Sequence, residues 1–289
     1  MTLALALLSL SACIKDLDDP SSRMATPINP RVPLMPIAGD FEMWPSPSIN
    51  DNDLQGESYS YDYWKEHKAE AQSFEELLAM TNVPNDLLKN MSTTNLAWTC
   101  FKHPYNNNWF VSYNIYDGIL SVVTTFNGYE ELMKRYGGRD AVVDLYIKLG
   151  YKELGDNQEG KTLVSARDLA SWTLVVCTLA DNNALNANQR RRLAKEVLAK
   201  KQAIASSHTD IYKGQDFIYL LGAFIAYHYD YTLTEEKLVL LRSFIKFICD
   251  NGTITPPSFD EGGSSPDADM SRSFNIIGGS LEAIAAGNE

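Results

Sequence analysis

Between residues 105 and 110 the chain reads Tyr105-Asn106-Asn107-Asn108-Trp109-Phe110, setting flat apolar rings beside amides that both donate and accept hydrogen bonds. On a turn this chemistry stacks sugar rings or grips a peptide, which makes Tyr105, Asn107, Trp109 and Phe110 the ligand-binding candidates. The plainer reading is that Trp109 and Phe110 open the next helix and pack inward while the asparagines only turn the chain. A second constellation, Tyr227-His228-Tyr229-Asp230-Tyr231, stands at an expected helix end. There Asp230 is spaced to orient His228 as a general base, in competition with simple packing of a helix terminus.

Asp51-Asn52-Asp53-Leu54-Gln55-Gly56-Glu57 places oxygen ligands at alternate positions before a glycine, and Asp62 falls where a calcium loop carries its last acid. Asp51, Asp53, Gln55 and Asp62 are therefore the calcium candidates, and calcium is the one cofactor the sequence suggests. The match is imperfect. Gln55 is longer than the usual ligand, Asp62 is shorter than the bidentate glutamate, and Pro45 and Pro47 forbid a regular entering helix. Asp260-Glu261 with Asp267 and Asp269 reads as an acidic surface loop. The chain lacks the sequence patterns of zinc peptidases, serine hydrolases, P-loops and dinucleotide folds, and His67, His103, His208 and His228 are too scattered to suggest a zinc site. A pair of carboxylates for glycoside cleavage leaves no spacing signature and stays open as an alternative.

The elements that would position these residues are helices. Ser73-Phe74-Glu75-Glu76 reads as a capping box and Ser165 as an N-cap. Apolar residues recur at helical spacing at Leu169, Trp172, Val176 and Leu179, at Leu193, Val197 and Ile204, and at Leu238, Leu241, Ile245 and Ile248. Phe217 to Tyr227 is apolar all round, as a helix covered by neighbours must be. Helix starts near Arg139, Asn186 and Thr234 recur at about 47 residues, the rhythm of HEAT- or armadillo-like helix pairs. The expected fold is all-α, either such an α-solenoid or an irregular helical bundle of about 8 to 10 helices. Gly150 to Leu163 and Gly252 to Asp269 are its long loops. Arg190-Arg191-Arg192 reads as a solvated helix face.

At the other end, the apolar run Leu3 to Ala12 has the length of a secretion signal and falls short of the roughly 20 residues a spanning helix needs. Leu10-Ser11-Ala12-Cys13 resembles a bacterial lipobox, which implies that residues 1–12 are removed and Cys13 is lipidated. Ile14-Lys15-Asp16-Leu17-Asp18-Asp19 is similar to the tag by which gut Gram-negative bacteria send lipoproteins to the outer cell surface. Pro20, Pro27, Pro30, Pro33, Pro36, Pro45 and Pro47 then favour extended backbone, a tether over residues 13–60 that reaches roughly 3 Å per residue. The helical domain is expected over 61–289.

Met91-Ser92-Thr93-Thr94-Asn95-Leu96-Ala97-Trp98-Thr99-Cys100, followed by Phe126-Asn127-Gly128-Tyr129-Glu130-Glu131-Leu132 and Arg135, resembles a pattern in an uncharacterised family of surface lipoproteins of gut Gram-negative bacteria. The resemblance implies a helical fold and a surface location, and no activity. With Cys13 given to lipid, Cys100, Cys177 and Cys249 remain, each inside an apolar helical pattern, and read as buried thiols. A net charge of −12 repels nucleic acid and anionic membrane surfaces. The expected function is that of an outer-membrane, surface-anchored binding or scaffold protein for a glycan, a peptide or an outer-membrane partner. The alternative is a polysaccharide-acting enzyme of helical-toroid type using two carboxylates.

Overall fold

Short polar residues start the helices as their chemistry requires. Ser73, Ser92 and Ser165 each accept a hydrogen bond from the backbone amide three residues on, at 3.1, 3.1 and 3.2 Å. Asn186 and Gln189 close a reciprocal capping box. At Ser73 only half of that box forms, because the Glu76 carboxylate accepts from the amide of Gln72.

A computed structural model describes residues 59–155, 158–206, 214–252 and 266–288. Among them are twelve α-helices: α1 Asp62–His67, α2 Phe74–Met80, α3 Asn85–Asn90, α4 Thr93–Phe101, α5 Ile115–Thr125, α6 Asn127–Lys134, α7 Gly138–Lys148, α8 Ala166–Asp181, α9 Ala187–Ala205, α10 Gly214–Tyr229, α11 Glu235–Asn251 and α12 Pro266–Ala286. The excess over 8 to 10 comes from α1, α2, α3 and α6, pieces of eight residues or fewer whose apolar periodicity is too short to read.

The architecture follows from α10. Phe217, Ile218, Tyr219 and Leu220, successive residues about 100° apart, turn to every side of this helix, and all are buried. It packs against α8, α9, α11 and α12. Gly222 brings α12 close, since a Cβ there would lie 2.8 Å from Ile277 and 3.1 Å from Leu281. The partners of α10 are its neighbours in sequence on both sides, and α5 also meets the distant α11, so the all-α fold fits a helical bundle or a solenoid-like array. Helices do start at Gly138, Ala187 and Glu235, close to the expected rhythm; those from Ala187 and Glu235 pack on α10, and that from Gly138 packs on α8 and α9.

Gly150 to Leu163 is more than a loop. Leu149–Tyr151 (β1) and Thr162–Val164 (β2) form a two-stranded parallel sheet with Gly150 opposite Leu163. The Gln158 side chain clamps β1, accepting from the Tyr151 amide at 3.0 Å and donating to the Tyr151 carbonyl at 2.6 Å. Three residues per strand are too few for alternation to show in a sequence.

The arginine trio is also a correction. Arg192 pairs with buried Asp144 of α7, and Arg190 lies 4.9 Å over the Tyr229 ring and donates to the Leu185 carbonyl. Only Arg191 of the three is exposed. The segments 91–100 and 126–135 build joints between helices. Phe126 breaks the chain between α5 and α6. Asn127 donates to the Val83 carbonyl at 2.8 Å and accepts from the Val83 amide at 3.0 Å. Arg135 donates to the Leu88 and Met91 carbonyls at the end of α3.

Candidate functional site

The turn at 105–110 is a single-file 3₁₀ segment, Asn106–Val111, lying between α4 and α5. Trp109 is buried, with its ring edge 4.9 Å from Phe217 and its indole N–H donated to Ser171 Oγ at 2.8 Å. Asn107 Oδ1 accepts from the same hydroxyl at 2.6 Å. Asn106 donates to the Cys100 and Phe101 carbonyls and accepts from Tyr129. These groups tie the turn to α4 and α8. Among the described side chains of the turn, Tyr105 meets α1, accepting from the Trp64 indole at 2.9 Å with the two rings edge to face.

That bond leads to a cluster the spacing argument missed. Tyr63 on α1 is 55% exposed and stacks on His67, centroids 4.4 Å apart and planes 20° from parallel. On the adjoining edge of α1 the half-buried Trp64 carries the Lys68 ammonium 4.7 Å from its ring centre. Both pairs are i,i+4 neighbours, so a helix of under two turns is enough to hold them. Tyr63, Trp64, His67, Lys68 and Tyr105 thus form an aromatic ledge with a charged rim. Open ring faces take up sugar C–H groups or apolar side chains, and Lys65 and Lys68 supply donors for hydroxyls or carbonyls. Its signal in the sequence is the density of rings in Tyr59-Ser60-Tyr61-Asp62-Tyr63-Trp64.

Behind the ledge sits His103, 3% exposed. Its Nδ1 accepts from the Tyr105 amide at 3.2 Å, and Nε2 lies 2.8 Å from Thr81 Oγ1. Burial alone pushes its titration down to about 3.

His228 is also buried, but its partner is Asp181 at 3.3 Å, not Asp230. Asp181 Oδ2 accepts from Tyr116 at 2.8 Å, and burial, then Asp181, push the Tyr116 phenol well up. Asp230 turns away to accept from the Thr232 amide and hydroxyl at 3.0 and 2.6 Å. The side chains of Cys177 and Cys249 flank the same core, and burial raises both thiols, the opposite of an activated nucleophile. Cys100, Cys177 and Cys249 are free and buried.

A third buried group, Lys200, donates to the Leu149 carbonyl at 2.7 Å and pairs with Glu196, which Lys161 shares. Burial, opposed by Glu196, lowers Lys200 to about 8.

Of the calcium candidates, Asp51, Asp53 and Gln55 lie outside the described residues, as do Cys13 and the tether up to residue 58. Asp62 is the first residue of α1, and its carboxylate accepts from Ser60 and from Lys65 at 3.0 Å. No group of three or more potential ligands is placed to hold a metal ion among the described residues. In the acidic loop, Asp269 lies within α12 and pairs with Arg272 at 3.5 Å. No described helix is long and apolar enough to cross a membrane. No family model, curated protein or solved structure matches the chain.

Proposed function

We propose that this chain is an outer-membrane lipoprotein, anchored through Cys13 and facing outward, whose helical domain binds a glycan, a peptide or a partner protein on the α1 ledge. The observation that carries the reading is the solvent-facing Tyr63–His67 stack with Trp64 and Tyr105 beside it. It stands directly after the Pro-rich stretch in the sequence, so the tether would present it away from the membrane. Stacking is sequence-tolerant chemistry suited to repeated sugars, and the charged rim supplies selectivity. Glycan-array and pull-down screens with the full chain test it. Expected is a ligand whose binding falls at least tenfold in Tyr63→Ala and Trp64→Ala; binding unchanged in both variants would remove the ledge from the reading. Labelling with a palmitate analogue, lost in Cys13→Ala, tests the anchor.

One observation favours the alternative, an enzyme using two carboxylates. Asp117 on α5 is raised by burial and then by Asp250 on α11, while Asp250 is tied to Asn114 at 2.9 Å and to Lys246. Tyr113, fully exposed, precedes Asp117 by four residues. A retaining or inverting glycosidase needs one carboxyl that keeps its proton near a second that has lost it. Polysaccharide hydrolysis by the purified chain, abolished in Asp117→Asn and Asp250→Asn, would establish this reading.

A further inference from the structure

We infer that His103 is an acid-sensitive latch that holds the segment from Tyr61 to Thr81, and with it the aromatic ledge, against the rest of the bundle. Both ends of the segment converge on this one ring. Tyr61, just before α1, meets it edge to face at 5.6 Å, and Thr81, the C-cap of α2, lies 2.8 Å from Nε2. Phe126 packs on the ring at 4.4 Å from the other side.

The hydrogen bonds admit a single proton arrangement. The Tyr105 amide donates to Nδ1, so Nδ1 bears no hydrogen and Nε2 carries it. Nε2–H therefore donates to Thr81 Oγ1, whose own proton goes to the Leu78 carbonyl at 2.6 Å. A second proton on the ring would set N–H against N–H at Nδ1. The titratable side chains around the imidazole are the phenols of Tyr61 and Tyr105, and no charged side chain contributes to its titration. The closed state therefore excludes imidazolium, whereas a ring released into water accepts a proton near pH 6.5.

The segment is held weakly elsewhere. Among the described residues α1 has no buried side chain, burial in the segment being confined to Tyr61, Leu78 and Thr81, and its direct bonds to the rest include Tyr61 Oη to the Thr99 carbonyl at 2.7 Å and Trp64 to Tyr105. Sparse burial is the condition for local opening ahead of global unfolding. Once the ring is free in the open state, each pH unit below 6.5 favours that state about tenfold. The latch is independent of what the ledge binds.

Native-state hydrogen exchange of the full chain at pH 7 and pH 5, corrected for intrinsic exchange, tests this. The window lies above the ordinary carboxylate range. Expected is a loss of protection of about 25-fold over residues 61–81 on going to pH 5, through openings less costly than the global unfolding by which the α10 amides exchange. His103→Gln, which keeps a donor for Thr81 and cannot ionise, should lose the response, and His67→Gln should keep it. An equal response in His103→Gln, its disappearance in His67→Gln, or protection of residues 61–81 as high as that of α10 would overturn the inference. If His103→Gln does not fold, the wild-type and His67→Gln profiles decide alone.

Discussion

His103 and His228 are both buried, 3% and 8% exposed, and the two ends of the molecule use them in opposite ways. At the α1–α2 end the ring is a neutral relay between a backbone amide and a hydroxyl, and a proton has nowhere to sit. At the junction of α5, α8 and α10 the ring faces Asp181, which lies at the last residue of α8, where the helix dipole disfavours a negative charge. There a protonated ring would meet a carboxylate. Burial by itself does not decide what a histidine does; the group across from each nitrogen decides it.

The strongest way to break this contrast is to remove the carboxylate. Asp181→Ala strands the buried Tyr116 hydroxyl, and the unfolding free energy from urea denaturation should fall by about 2 to 3 kcal/mol. A loss under 1 kcal/mol would mean the pair is incidental. Next in size is the acid limb. The folded state holds His103 at about 3, below its unfolded value near 6.5, so the unfolded or opened chain binds more protons between those limits. Stability in that window drops as pH falls, by about 2 kcal/mol from pH 7 to pH 5, and His103→Gln should flatten this part of the profile.

Lys200 extends the comparison to a buried cation. Its folded value of about 8 lies below the ordinary 10.5, so here too the unfolded chain binds more protons in between. Stability should rise by about 1.5 kcal/mol from pH 8 to pH 9.5, and Lys200→Met should remove that slope. A flat wild-type profile would show that the Glu196 and carbonyl contacts compensate the burial fully. The smallest change in stability is expected on the ledge, where Tyr63→Ala should shift unfolding by less than about 0.5 kcal/mol while weakening ligand binding. A larger loss would mean that Tyr63 serves the fold.

The sequence showed which parts of the molecule are helical because those signals are local. Ser92, Ser165 and Asn186 cap the helices they precede, and the all-round apolar face of Phe217 to Tyr227 marks the central helix. The sites depended on pairings that no spacing reveals. Asp181 and His228 come from different helices, and the acid nearest in sequence, Asp230, lies past the helix end and closes its own turn on Thr232. Arg192 looked solvated because its partner Asp144 sits 48 residues earlier. Trp109 satisfies its indole N–H on Ser171 of α8, which makes an inward-facing tryptophan cost nothing in unpaired polar groups. Tyr105 kept its place at the surface because Trp64 reaches it from a helix too short to be read.

The contrast between the two histidines is tested most directly by ¹⁵N resonances of the His103 side chain in the intact chain, followed from pH 7 to pH 5. A neutral imidazole protonated only on Nε2 across the whole range is expected while the fold persists. Protonation of both nitrogens near pH 6.5 in the closed protein, or a hydrogen on Nδ1, would contradict it.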